Sequence, residues 1–117
     1  MNTEVAARII EAIETNPEQH DQAYWRKRTA CGTTMCIAGW TCYLNGDEFV
    51  PYQDSRFSFE VRTKDGSEMS IAARAADLLG LSEDVNIDQL FWEDDDTVAL
   101  NRLRRIAEGD PKWWTAE

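Results

Sequence analysis

Residues 29–46 contain no charged side chain, in a chain that is 29% charged. Exclusion of charge from a segment whose neighbours are crowded with it marks that segment for burial. Thr33 is a suitable cap for a helix over about 34–44, and Asn45-Gly46 forms its left-handed end. This helix is apolar almost all round, as expected of one enclosed by others. Gly39 in its middle lets a neighbouring backbone approach closely. On the N-terminal side, Val5, Ile9, Ile10 and Ile13 form an apolar stripe at helical spacing, on a helix capped by Thr3 and running to about Glu14. Asn16, Pro17 and Gln19 then match a capping arrangement for a second helix over about 17–27, which presents His20, Tyr24 and Trp25.

The period changes in the middle of the chain. Phe57, Phe59, Val61 and Thr63 alternate with Ser58, Glu60, Arg62 and Lys64, the two-residue repeat of a half-buried strand. Asp65-Gly66 is a favoured pair for a two-residue hairpin turn, and the return arm reaches about Ser70. Val50 to Gln53 is a candidate strand on the other side. Ile71 to Leu79 then reads as a helix closed by Gly80, with Leu81 placed to pack back. Ser82 suits a cap for a short helical segment reaching Leu90 and Phe91. A last helix spans about Thr97 to Ala107 and stops at Gly109 and Pro111.

These elements predict one domain over residues 1–117, α+β but mainly α. It is organised around the central apolar helix at about 34–44, with one short antiparallel hairpin at about 56–70. The sequence shows no internal repeat and no low-complexity linker.

Charge narrows the functional classes. Twenty-two acidic against twelve basic residues give a net charge of -10, a field that repels phosphate backbones and anionic lipid. Direct nucleic-acid binding and membrane binding are therefore not expected; the charge fits a soluble protein, or one whose partner is basic. The N-terminus lacks a basic region followed by an apolar run, so a cytoplasmic location is expected. An odd number of cysteines does not fit a disulfide framework, and free thiols are the default in a reducing compartment.

Four constellations bear on chemistry. Cys31, Cys36 and Cys42 with His20 supply ligand types that zinc favours, but without the paired Cys-x-x-Cys knuckle. Cys36 and Cys42 also lie roughly 240° apart around one helix. Buried thiols acting as small hydrophobes are the simpler reading, and no metal or cofactor is expected. Cys31, before a predicted helix start, is a candidate nucleophile with His20 as the sole imidazole base. The acid run Glu83, Asp84, Asp88, Glu93, Asp94, Asp95, Asp96 lacks the spacing of a calcium loop; it suits the N-terminus of the last helix, whose C-terminal half carries Arg102, Arg104 and Arg105. Those arginines, and Arg26-Lys27-Arg28, read as solvated faces paired with nearby acids. Trp113 and Trp114 lie beyond the last helix stop, where one ring can fold back as a lid while the other stays accessible to a partner.

Several short stretches, taken together, resemble a group of small uncharacterised proteins of actinobacterial phages and their hosts. They are His20-Asp21-Gln22 with Trp25, Cys31-Gly32-Thr33 with Cys36-Ile37-Ala38-Gly39-Trp40, Leu78-Leu79-Gly80-Leu81 and Leu90-Phe91. The resemblance spans roughly residues 5–107, and Cys-Gly-Thr-x-x-Cys-Ile-Ala-Gly is its most specific part. It implies a context, a phage accessory product in the bacterial cytoplasm, and no catalytic residue. The expected function is a non-enzymatic protein-interaction module acting on a host protein. The alternatives are a small metal-binding or thiol-dependent protein using Cys31, Cys36, Cys42 and His20, and an acidic nucleic-acid mimic.

Overall fold

The computed structural model describes residues 1–29, 32–53 and 55–117. Helix α1 (Thr3–Thr15) leads into a single 3-10 turn at Pro17–Gln19, followed by strands β1 (Lys27–Thr29) and β2 (Gly32–Thr34) and helix α2 (Ile37–Leu44). Strands β3 (Glu48–Pro51), β4 (Ser58–Arg62) and β5 (Glu68–Ser70) come next. Helices α3 (Ile71–Leu79), α4 (Asp88–Phe91) and α5 (Asp96–Ala107) complete the chain, with a 3-10 turn at Trp113–Thr115. The described strands form two antiparallel sheets, β1-β2 and β3-β4-β5.

This corrects the expected mainly-α architecture with one hairpin and a central apolar helix over 34–44. The charge-free stretch is divided: Gly32–Thr34 pairs with Lys27–Thr29 as a strand, and only the eight residues from Ile37 are helical. Gly32 has φ +132°, a conformation closed to other residues, and the two β-branched threonines after it favour extended backbone. The helix expected over 17–27 also does not form. Met35 N–H donates to Gln19 O, Asp21 N–H to Met35 O and Cys36 N–H to Tyr24 O, at 3.1, 3.0 and 2.7 Å. These long-range bonds hold residues 19–24 against the end of β2, and they outweigh a local capping signal.

The hairpin at 58–70 belongs to a three-stranded sheet, because Glu48–Pro51 pairs along β4 on its other side. A register shift between Val50 and Pro51 places one extra β4 residue opposite them. Such a bulge reverses the inward and outward alternation. Ser58 and Val61 are buried as a result, and Phe59 is 43% exposed, stacked edge-to-face on Tyr52. The β4–β5 connection is a three-residue loop, Lys64-Asp65-Gly66, with Gly66 at φ +88° and Thr63 N–H donating to Ser67 O.

The remaining helices follow their apolar stripes. Asn2, not Thr3, caps α1, its Oδ1 accepting from Val5 N–H at 3.1 Å. Ala6, Ile9 and Ile13 of α1 meet Ala99, Leu103 and Ile106 of α5, while Ile37 and Ala38 of α2 join Ile71, Ala75 and Leu79 of α3 in one contiguous core. Full burial of an Ile or Leu side chain stabilises by about 1.5–3 kcal/mol. Helix α3 ends at Gly80 (φ +70°), where Leu81 N–H donates to Ala76 O and the Leu81 side chain turns into the core. Gly39 is where α2 meets the preceding segment: a β-carbon there would lie 2.1 Å from Trp25 O and 2.8 Å from Met35 Cβ.

Candidate partner-binding surfaces

The two described thiols lie inside the protein. Cys36 is the N-cap of α2, and burial pushes its thiol up to about 11. Cys42 donates to Ile71 O at 3.7 Å, and burial, reinforced by the Asp47 carboxylate, pushes it up to about 12. Both are therefore neutral thiols at ordinary pH, without the thiolate that nucleophilic attack requires. Cys31, the third member of the candidate set, lies outside the described residues. Among the described residues, no three His, Cys, Asp or Glu side chains converge as metal ligands.

His20 is buried beside Gln22, with Nε2 3.1 Å from Gln22 Oε1. The Gln22 amide nitrogen donates to Leu90 O and Glu93 O, so Oε1 is an acceptor and the His20 ring carries its proton on Nε2. Oε1 also accepts from Ile37 N–H at 2.8 Å, and Gln22 N–H donates to Asp96 Oδ1. One buried amide thus caps α2 and binds the α4–α5 connection. Pattern reading passed over Gln22, because its partners lie 15 and about 70 positions away.

A second polar junction holds the C-terminus. Arg102, expected on a solvated face, is buried on α5: Nε donates to Ala116 O, and Nη1 donates to Gln89 O and Glu93 Oε2. Trp113 is wholly buried, with Nε1 donating to Asp84 Oδ2 at 3.2 Å; Trp114 is half-buried against the core. The terminal pair closes the core with one ring and leaves part of the other at the surface.

On the same α4 side of the Arg102 junction, Trp92 is 57% exposed, its ring perpendicular to Trp25 at 5.0 Å between centroids. Trp92 N–H donates to Asp88 O one helical turn back, so Asp88 and Trp92 share a face. Trp92 and Asp94 line a small cleft with Gln22, Trp25 and Phe91. Much of the acid run is committed internally: Asp95 caps α5 through Thr97 and Val98 N–H, Asp96 holds Gln22, Asp84 holds Trp113 and Glu93 pairs with Arg102. Asp88 and Asp94 take no part in the ion pairs among the described residues. The sequence signal for this surface, a tryptophan inside an acid run, was present but overshadowed by the terminal Trp pair.

A larger groove, of about 630 Å³, runs along α2 on the β2 side. Trp40, Tyr43 and Leu44 of α2, Met35 and Phe49 supply its apolar wall, and Arg26, Gln19 and Thr33 part of its polar one. The Arg26 guanidinium lies 4.6 Å from the Phe49 ring centroid and donates to Ser58 Oγ. Lys27 turns to the opposite side of β1, with Nζ 4.6 Å from the Tyr24 ring centroid and 5.9 Å from that of Phe57.

Among the described residues, no helix is long and apolar enough to cross a membrane. Comparisons with protein-family models, curated proteins and solved structures find no match to this chain.

Proposed function

We propose that this protein is a non-enzymatic protein-interaction module, a phage-encoded accessory protein acting on a host component in the bacterial cytoplasm. Exposure of Trp92 beside the uncommitted carboxylates of Asp88 and Asp94 carries the reading. A large aromatic ring offers contact area at low entropic cost, and tryptophan is enriched among the residues that dominate binding energy. In a chain of net charge -10 these acids favour a basic partner surface and accelerate the encounter with it. Arg102 joins this segment to the tail that carries the half-buried Trp114, which we include as a second element of the proposed site. The raised pKa values of the buried Cys36 and Cys42 disfavour a thiol nucleophile at either of those two positions.

Affinity capture from an actinobacterial host lysate, followed by measured binding of the captured protein, tests this. Trp92→Ala should weaken binding by about 2 kcal/mol, roughly thirtyfold, with an unchanged melting temperature. Trp114→Ala should weaken it less. A captured partner that binds both variants as tightly as the wild type would place the interface elsewhere.

A further inference from the structure

We propose that the α2 groove is a second binding site, separate from the Trp92 face, and that it takes an extended acidic peptide segment. Charge is the first argument. Arg26 lines the groove, and Arg28, in the middle of β1, is exposed and close enough for its charge to act on Arg26. Neither belongs to an ion pair among the described residues. Among the described residues, the one carboxylate on the groove wall is Asp47, turned inward with no side-chain exposure, and Arg74 holds both its oxygens at 2.8 and 3.2 Å. A chain of net charge -10 thus presents a groove whose uncompensated charge is positive.

Backbone geometry is the second argument. Arg28 N–H donates to Arg56 O, on the side of β1 away from β2. In an antiparallel ladder its partner Thr33 must then also turn its N–H and C=O outward, toward the groove. Two residues on, the same edge of β2 is already used, by the bonds from Met35 to Gln19 and Asp21. An extended segment entering the groove continues that pairing at Thr33. It sets an apolar side chain against Tyr43, Leu44 and Phe49 and a carboxylate against Arg26 and Arg28.

A single-stranded nucleic acid, the other polyanion such a groove could attract, is disfavoured. It needs a run of open aromatic faces for stacking successive bases. Among the described residues lining the groove, Arg26 covers a face of Phe49 and Trp40 is buried, which leaves Tyr43 as one open ring, too few for a base stack. The net charge also repels a long phosphate backbone more than a short peptide.

Selection of a random decapeptide library against the folded protein tests the site. Enriched peptides should carry Asp or Glu next to Leu or an aromatic residue. They should shift the amide resonances of Thr33, Tyr43 and Leu44, and bind about threefold to tenfold more weakly to Arg28→Gln, an exposed position without a role in folding. Trp92→Ala should bind them like the wild type, which separates this site from the Trp92 face. Enriched peptides without an acidic excess, or equal binding by Arg28→Gln, would overturn the proposal. So would tighter binding of an oligothymidylate than of any selected peptide, or a dimer that buries the groove against a second copy.

Discussion

Single residues settle several junctions of this fold. The Gln22 amide uses both hydrogens and its oxygen on backbone groups of two separate segments, residues 90–93 and the start of α2, and no hydrophobic pattern announces it. The thiols show the opposite case, since cysteines in a charge-free stretch read directly as buried groups, and the described Cys36 and Cys42 are. Their ionisation has a signed consequence. Burial raises the Cys36 thiol from 9.0 to about 11 and the Cys42 thiol from 9.0 to about 12, so the unfolded chain releases these protons first. The stability they contribute is complete below pH 9.0 and falls as the pH rises toward 11 and 12. Urea midpoints of the wild type should therefore decline above pH 9.0 more steeply than those of Cys36→Ala. Parallel profiles would mean that the Cys36 thiol reaches solvent in the native state.

At the scale of elements, the helices with clear apolar stripes and the β4–β5 hairpin sit close to where local pattern places them, and strands β1 and β2 replace expected helix. Helix α3 spans Ile71–Leu79 and ends on a left-handed Gly80, both visible in the order of residues. The β4 alternation was visible as well, yet the bulge opposite Val50 and Pro51 turned Phe59 to the surface. Pairing between strands sets such a shift, and a single strand carries no record of it. The seat of α2 depends on Gly39. A methyl group there collides with Trp25 O and Met35 Cβ, both on backbone or close to it, so neither can swing aside. Gly39→Ala should cost about 1–3 kcal/mol in urea unfolding, the usual range for overpacking a tight contact. An unchanged midpoint would show that α2 can move off the Trp25 segment freely.

Across the whole molecule, charge is segregated: Asp88 and Asp94 flank Trp92 at one surface, and Arg26 and Arg28 border the α2 groove at another. The sequence displayed both clusters, but which charges were free depended on the ion pairs that folding assembles. Arg102 and Trp113 close the molecule by tying its tail to α4, α5 and Asp84. Removing a fully buried indole costs about 3–5 kcal/mol, so Trp113→Ala should lower the melting temperature sharply. Trp114→Ala, at a half-buried ring, should lower it much less. Equal losses would show that the two rings contribute alike to the core.

The order of residues alone determined the amphipathic helices α1, α3 and α5, the turn around Asp65-Gly66 and the burial of the described thiols. All of these rest on local periodicity, capping and side-chain hydrophobicity, which act within a few residues. Tertiary structure decided that residues 32–34 are a strand and that residues 20–24 form a bridge and a turn rather than a helix. It also turned Phe59 outward, buried Arg102, exposed Trp92 and left Arg26 and Arg28 out of the ion pairs among the described residues. Each of these depends on a hydrogen bond, ion pair or strand register between residues far apart in the chain, and such a partner exists only once the backbone has brought it there.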